Sequence, residues 1–281
     1  MRKATWLVDG VPLDDPDGRW LLEAATSVPA PASRTVASTS LPSRDGVLSV
    51  RQGMGTGTVA LSVAVVGTGR GGDLADVDAT ASWLAALLSE ARTVTWQPGE
   101  GRSRSVDVVE TVVAEPEIRG RRHVVISAAL TVHPWWVEDT AAVTSPAATV
   151  TTAGVRLNAA LWAGVSGRQQ DAIVRVSGRV VNPLVVDVAS GTSASYTGTI
   201  PTGTHLYIAS WPWLRAWTST SNAAWSIAQG TEVQVDYGEA GPLIITPALE
   251  TGPGQAVPQV TVSASGVSGA TAVMRGRRWH L

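Results

Sequence analysis

The chain has 281 residues and a formal net charge of -2, with no cysteine, no phenylalanine and 12 tryptophans. Its length fits about two domains of ordinary size, and the lack of cysteine excludes disulfides, thiolate zinc sites and a cysteine nucleophile. The near-neutral charge argues against a protein that coats nucleic acid, because such domains tend to be strongly basic.

Neither a signal peptide nor a membrane helix is predicted. The first apolar run ends at Asp9-Gly10, which is too early for a signal peptide. The longest apolar stretch, residues 58–66, is much shorter than the ~20 residues that a membrane helix needs. We therefore expect a soluble chain without membrane insertion.

Most segments alternate with a period of two and are rich in Val and Thr, which is typical of half-buried strands. The clearest predicted strands are residues 58–66, 105–113, 123–132, 172–177, 183–188 and 257–263. Asp-Gly pairs at 9–10, 17–18 and 45–46 predict turns. The sequence therefore predicts a mainly β protein.

A single helix is predicted, from about residue 74 to residue 91. Val77, Ala81, Leu84, Leu88 and Ala91 form an apolar stripe at helical spacing. Asp73, Asp76 and Asp78 are expected in its first turn and Arg92 at its end, where their charges would complement the helix dipole.

The composition changes near residues 134–139, and a stretch low in charge and rich in Ala, Thr, Ser and Pro follows to about residue 153. We expect a domain boundary there. The predicted domains are residues 1–140 and residues 141–281, and the second is expected to be all-β.

One motif suggests a nucleotide site. Residues 67–72, Gly-Thr-Gly-Arg-Gly-Gly, fit the pattern G-x-G-x-x-G between a predicted strand and the predicted helix. The aspartates at the helix start would repel a pyrophosphate, and no further alternation of strand and helix follows. A flexible loop between strand and helix is the favoured interpretation.

No catalytic set can be singled out. The four histidines, His123, His133, His205 and His280, are scattered and are expected at the surface or at sheet edges. Acidic segments at 14–17, 115–117 and 138–139 could supply the two carboxylates of a glycosidase, but such residues are also usual in turns. We expect a protein that is not an enzyme and that has no metal or cofactor site.

Basic segments at 102–104 and 119–122 are predicted to form hairpin ends. They either contact acidic neighbours or stay solvated at the strand edges. The basic C-terminal segment, residues 275–281, is expected to be a final edge strand or a docking tail.

Four tryptophans lie close together at positions 211, 213, 217 and 225. If they are exposed, Trp211, Trp213 and Trp217 are candidates for stacking on sugar rings. The favoured alternative is that these tryptophans replace phenylalanine in a core or a subunit interface, with each indole N–H bonded.

The order of features resembles that of siphophage distal tail proteins. The similar N-terminal segments are residues 10–23, 29–34 and 41–46, strand 58–66, helix 74–91, Trp96, a long hairpin and the closing residues 133–136. The second half resembles the galectin-like C-terminal domain of that family at residues 175–184, Asp187, Gly191, residues 196–198 and residues 274–278.

This resemblance implies a fold and a role. The N-terminal domain is expected to be a β-sandwich or split barrel with one helix and a long hairpin, and the C-terminal domain a galectin-like β-sandwich. Distal tail proteins of this kind form a hexameric ring in the virion that connects the tail tube to the tail tip or baseplate, assembled in the host cytoplasm. The hairpin at 104–132 is a candidate for strand pairing across the subunit boundary.

The resemblance also implies partners. These are the tail tube protein, the tape-measure protein and the tail-tip hub or baseplate proteins, together with the host-attachment proteins that the ring scaffolds. DNA would pass through the channel without specific binding. The alternative function is a carbohydrate-binding module that recognises a host cell-wall glycan.

Overall fold

The structure is a computed structural model that describes residues 5–25, 34–40, 47–67, 74–119, 122–138, 140–157, 160–249 and 255–281. Contacts divide the chain into two compact units, residues 1–139 with Leu281 and residues 140–280. The predicted boundary between residues 140 and 141 falls next to this division. The two halves are called the first and the second unit below.

The first unit contains eleven strands and one helix among its described residues. They are β1 (Thr5–Val8), β2 (Val11–Pro12), β3 (Trp20–Ala25), β4 (Arg34–Ser40), β5 (Val47–Met54), β6 (Gly57–Val66), α1 (Leu74–Ser89), β7 (Thr93–Gln97), β8 (Arg104–Val113), β9 (Glu117–Ile118), β10 (His123–Val132) and β11 (Trp136–Glu138). The strands predicted at 58–66, 105–113 and 123–132 are confirmed to within one residue.

The main sheet of the first unit is antiparallel, in the order β2-β1-β7-β8-β10-β6-β3. Strand β8 pairs with three neighbours, since residues 104–107 pair with β7, residues 104–105 also pair with β11, and residues 108–113 pair with β10. The long hairpin predicted at 104–132 is therefore present, and its outgoing strand joins the two halves of the sheet. Strands β4 and β5 form a separate hairpin.

Helix α1 packs on strands β6, β8 and β10. The predicted stripe is confirmed, since Val77, Ala81, Leu84 and Leu88 are buried and Ala91 packs against the same core. Strand alternation supplies the other side of this core with large apolar side chains, which include Val63, Ile126 and Leu130.

The charges at the ends of α1 differ from the expectation. Asp76 is the acidic residue of the first turn, Asp78 lies beyond it, and Asp73 lies outside the described residues. Arg92 is not in the last turn, and its backbone amide donates to the Asp9 carboxylate at 3.1 Å. Asp9 also accepts from the amide of Thr93 at 2.7 Å. Helix α1 ends at Ser89, before the predicted residue 91, so Arg92 lies beyond the last turn and its backbone is held by Asp9.

The second unit is built from short strands. They are β12 (Val143–Thr144), β13 (Ala148–Thr149), β14 (Val155–Arg156), β15 (Ile173–Val181), β16 (Leu184–Asp187), β17 (Ser193–Ser195), β18 (Thr199–Ile200), β19 (His205–Ala209), β20 (Ala216–Ser219), β21 (Thr231–Val233), β22 (Asp236–Tyr237), β23 (Val260–Ser263), β24 (Gly266–Gly276) and β25 (Trp279–His280), with 3-10 helices at Ala160–Trp162 and Ile227–Gln229.

These strands form a sandwich of two antiparallel sheets. One sheet has the order β12-β24-β15-β19-β20-β21 and the other has the order β14-β23-β16-β17-β22. One core joins them, with Val174 and Leu206 from the first sheet and Val185 and Val262 from the second. The mainly β fold class is therefore confirmed, and α1 is the only α-helix in the described ranges.

The basic C-terminal segment docks on its own unit. Strand β24 is an interior strand with β15 on one side and β12 and β13 on the other. Beyond it, Arg277 donates to the Asp171 carboxylate through its amide at 3.0 Å and its Nε at 2.7 Å. The indole of Trp279 donates to the same carboxylate at 2.8 Å. The segment therefore packs on its own unit as a docking tail, and its residues 279–280 also form the short final strand β25.

A buried carboxylate at the end of β16 joins the turn after that strand to the segment at residue 246. Asp187 is fully buried and accepts from the amide of Ser190 at 2.9 Å. It also accepts from the hydroxyl of Thr246 at 2.7 Å and from the amide of Thr246 at 3.3 Å. Burial raises the pKa of this carboxyl above its usual value of 3.8, although the hydrogen bonds oppose that rise.

We expect Asp187→Ala to lower the free energy of unfolding by about 1–3 kcal/mol, because it leaves buried donors without an acceptor. Asp187→Asn keeps one acceptor oxygen, so its free energy of unfolding should fall by less. Chemical denaturation of the three proteins measures both effects.

The raised pKa gives this group a pH signature. The folded state holds its proton more tightly than the unfolded state, so its contribution to stability is complete below pH 3.8 and falls as the pH rises through the folded pKa. The stability of the wild type relative to Asp187→Asn should therefore decrease with rising pH in that window. A difference that increases with pH would contradict this account.

Candidate functional site

The first sheet of the second unit carries a second apolar cluster on its outer face. Strand register aligns Arg175 with Tyr207, and Tyr207 with Trp217. Val174 and Val176 point into the core, so the alternating positions point outward. The outer cluster consists of Tyr207, Ala209, Trp217 and Ala224, with Ile173, Trp225 and Ile227 packed against it.

Aromatic rings and hydrogen bonds hold the segment at 220–230 on this face. Tyr207 and Trp217 are stacked, with ring centroids 5.4 Å apart and planes at 2°, and Trp225 meets Tyr207 edge-on at 5.4 Å. The Trp217 indole donates to the carbonyl of Ala224 at 2.8 Å, and the Tyr207 hydroxyl donates to the carbonyl of Ser221 at 2.6 Å. The segment at 220–230 therefore covers this part of the outer face through defined hydrogen bonds and ring contacts.

A cleft of ≈ 520 Å³ lies beside this cluster. It is lined by Ile173, Ala209, Pro212, Trp213, Arg215, Trp217, Trp225, Ser226 and Ile227. Its size lies within the range of about 300–1,000 Å³ that is usual for small-ligand sites. Its lining combines aromatic and aliphatic walls with one guanidinium and one hydroxyl group.

The three candidate stacking residues lie in different environments. Trp213 is 66% exposed at the cleft, whereas Trp217 is 2% exposed and its ring is stacked on Tyr207. Trp211 is half-buried and is not part of the lining, and its amide donates to the carbonyl of Leu243 at 2.9 Å. The structure therefore brings Trp213 and Trp217 to one cleft and leaves Trp211 outside it.

Trp225 lines the cleft although the sugar-stacking prediction left it out. Its guanidinium neighbours are Arg175 at 5.3 Å and Arg275 at 5.2 Å from the ring centroid. Trp225 belongs to the same group of tryptophans in the sequence, but its place depends on pairing between strands that are far apart in the chain. Local periodicity carries no signal of that pairing.

Three arginine side chains lie in or near the cleft. Arg215 lies in the lining, and its Nε is 3.9 Å from the Glu232 carboxylate. Within the part of the chain that the structure describes, Arg175 and Arg275 form no ion pair. Arg175 also donates to the carbonyl of Asn222, which helps to hold the 220–230 segment.

Of the first two histidines, His133 is exposed as predicted, whereas His123 is half-buried on the interior strand β10. His123 is the first residue of β10 and His133 follows its last residue, so they occupy opposite ends of one strand. His123 Nε2 lies 3.3 Å from the Glu23 carboxylate. Among the described residues no group of three potential ligands could hold a metal ion.

The other two histidines correct the expectation of surface or edge positions. His280 is only 2% exposed. His205 is half-buried on the interior strand β19, and its Nδ1 is 2.8 Å from the hydroxyl of Ser177. Burial and, to a lesser extent, nearby Arg175 lower the pKa of His205. The predicted positions of His205 and His280 were wrong because a single sequence does not show which strands become interior.

The predicted basic hairpin ends contact acidic neighbours. Arg102 lies 3.1 Å from the buried carboxylate of Glu138, and Arg119 lies 3.0 Å from Glu117 and 3.2 Å from Glu23. The pKa of Glu117 is lowered by its hydrogen bond with Arg119. These carboxylates therefore form ion pairs that hold the basic segments near the ends of strands.

The acidic turn at 14–17 has the same structural use. Asp15 accepts from the Nε of Arg19 at 2.8 Å, and this bond lowers the pKa of Asp15. Asp14 accepts from the amide of Leu22 at 3.1 Å.

Of the glycine-rich motif at 67–72, only Gly67 lies within the described residues. In the described ranges no helix is both long and apolar enough to cross a membrane.

No protein-family model and no curated protein matches this sequence. Its fold is similar to the crystal structure of the SPP1 Dit protein (gp 19.1), which is described as a paradigm of the hub adsorption apparatus in phages that infect Gram-positive bacteria. That match has a TM-score of 0.56 at 15% identity and covers 100% of each chain. A structure of the phage p2 baseplate in its activated conformation with Sr covers 98% of each chain at 9% identity, with a TM-score of only 0.33.

The fold is therefore that of the SPP1 Dit structure, and the predicted resemblance to siphophage distal tail proteins is confirmed at the level of the fold.

The contrast between two tryptophans gives a test of the cleft. Trp217→Ala removes a buried, stacked and hydrogen-bonded ring, so we expect the free energy of unfolding to fall by about 3–5 kcal/mol. Trp213→Ala removes an exposed ring and should change it by less than about 0.5 kcal/mol. Denaturant titration measures both free energies of unfolding. Equal decreases in the two variants would contradict the assignment of Trp217 as a buried structural residue and of Trp213 as an exposed one.

Proposed function

We propose that this chain is a structural protein of a phage tail, namely a distal tail protein that joins the tail tube to the tail tip or baseplate. The observation that carries this proposal is the similarity in fold to the SPP1 Dit protein along the full length of both chains. A match of this extent includes both units, so it does not depend on one common β-sandwich. The chain would then be a non-enzymatic component of the virion, at the tail tip.

We further propose that copies of the first unit close a ring, of six copies as the resemblance implies. Apolar side chains on the hairpin support this, because Val109 is 53%, Val112 is 61% and Ile118 is 76% exposed. Val112 pairs with Ala129 on the outer face, whereas Ile118 pairs with Val124 on the core side. Exposed apolar side chains of this size are candidates for a contact with another protein. In a ring they would be covered by the next copy.

The outer face of the same sheet supports a close contact. Strand register places Ala60 beside Ala129, Ser62 beside Ser127, and Ala129 beside Val112. These positions belong to an open groove of ≈ 600 Å³ lined by Ala24, Ala25, Ala60, Leu61, Ser62, Val112, Ala114, Ser127, Ala128 and Ala129. Small side chains let another backbone approach closely, so we propose that the hairpin of a neighbouring copy packs here.

The remaining parts of the proposal concern partners. A net charge of -2 suits a channel through which DNA passes without being held, because phosphate binding requires basic side chains. The tail tube protein, the tape-measure protein and the hub or baseplate proteins would contact the ring. The second unit would project from it and carry the host-attachment proteins.

We expect the purified chain to have the mass of a ring of about six copies in solution. Val112→Asp buries a charge in the proposed contact and should shift the mass towards the monomer. The matched control is Val188→Asp, at a valine of the second unit that is 44% exposed, and it should leave the mass unchanged. Native mass spectrometry distinguishes these outcomes. A wild type that stays monomeric, or a Val112→Asp ring as stable as the control, would contradict the proposal.

A second candidate function is carbohydrate binding by the second unit, as a receptor-recognition module of the tail. The observation in its favour is Trp213, a large aromatic side chain that is 66% exposed at the edge of a cleft. Its test is binding of the intact chain to wall polysaccharide from a susceptible host. Absence of binding would remove this candidate and would leave the ring proposal intact.

A further inference from the structure

We propose that the cleft beside Trp213 binds an acidic glycan, a sugar chain whose units carry carboxylate or phosphate groups. This inference rests on the second candidate function and specifies the chemistry of its ligand. It also changes the proposed set of ligand-binding residues: Trp213 and Arg215 contact the ligand, Trp225 forms another part of the lining, and the buried Trp217 supports the site.

The aromatic part of the site is Trp213. Its side chain is 66% exposed, and the rest of the lining is apolar at Pro212, Ile173 and Ile227. An indole offers a broad apolar face with a polar edge, which suits the C–H face of a pyranose ring. Trp217 cannot serve in this way, because it is 2% exposed and its ring is stacked on Tyr207.

The part of the lining formed by Trp225 is ordered before any ligand arrives. The guanidinium groups of Arg175 and Arg275 lie 5.3 Å and 5.2 Å from the Trp225 ring centroid, and the ring meets Tyr207 edge-on. The hydrogen bond from Trp217 to the carbonyl of Ala224 holds the adjoining backbone at 2.8 Å. A wall that is already ordered reduces the entropy lost on binding.

The charge of the site determines the class of ligand. Among the described residues that line the cleft there is no aspartate or glutamate, whereas Arg215 is one of them. The carboxylate paired with Arg215, that of Glu232, lies 3.9 Å away, and both side chains are more than half exposed. Such a pair is weak, so the guanidinium is available to an anion, and its fork of donors matches a carboxylate or a phosphate.

Two other ligands fit less well. A neutral sugar would cover Trp213 but would leave the guanidinium of Arg215 with only its weak partner Glu232. An acidic peptide would satisfy Arg215 but offers no ring face for Trp213. The acidic glycan uses both groups at once.

The experiment measures binding of the full chain by isothermal titration calorimetry. The probes are hexagalacturonate, which carries carboxylates, and glucosylated poly(glycerol phosphate), which carries phosphates. Maltohexaose is the neutral sugar of similar length, and hexaglutamate is the acidic peptide. The variants are Trp213→Ala and Arg215→Gln. Matched controls are Trp83→Ala, at a tryptophan of α1 that is 45% exposed, and Arg156→Gln, at an exposed arginine of β14.

We expect one of the two acidic glycans to bind more tightly than maltohexaose and hexaglutamate, and the one that binds identifies the anionic group. Trp213→Ala and Arg215→Gln should each weaken that binding by at least about tenfold, while the two controls leave it unchanged. Added salt should also weaken it, because Arg215 is largely exposed.

Several results would overturn the proposal. These are equal binding of maltohexaose, binding of hexaglutamate that Trp213→Ala does not weaken, equal losses in the control variants, or no binding of either acidic glycan. If the chain binds host wall polysaccharide but neither acidic probe, the charge assignment fails while the second candidate function stands. If the chain binds neither wall polysaccharide nor either acidic probe, both the acidic-glycan proposal and the second candidate function fail.

Discussion

Successive side chains on a β-strand point to opposite faces of the sheet, so every sheet in this chain has an outer as well as an inner surface. The inner surfaces build the cores, with Val63 and Ile126 against α1 in the first unit and Val174 against Val262 in the second. The outer surfaces differ. In the first unit the outer surface is lined by alanine and serine, and in the second it carries stacked aromatic rings. Both proposed contacts, with a neighbouring copy and with a glycan, use these outer surfaces.

The tryptophans show how position and not residue type determines the role of a side chain. In a chain without phenylalanine, Trp6, Trp136 and Trp162 fill the cores. Trp217 is buried on the outer face, where its indole N–H is bonded to Ala224. Trp213 differs because it lies in the turn between β19 and β20, where neither sheet covers it.

Local periodicity was sufficient to predict the strand at 58–66 and the buried stripe of α1 from Val77 to Leu88. Features that depend on pairing between distant segments could not be predicted. Asp9 fixes the exit of α1 across 83 positions of sequence, and Trp225 is held at the cleft by the contacts of its segment with Tyr207 and Trp217. The burial of His280 is a further example. The order of features along the chain was more informative than any single motif, since the fold that it suggested is confirmed.

The central claim is that copies of this chain assemble into a ring between the tail tube and the tail tip. The most direct measurement is cryo-electron microscopy of purified virions, combined with mass spectrometry of their proteins. The account predicts that the chain is present in the virion and that its two-unit fold fits a ring of density at the end of the tail tube. Complete tails that lack the chain, or that hold it away from this junction, would contradict the account.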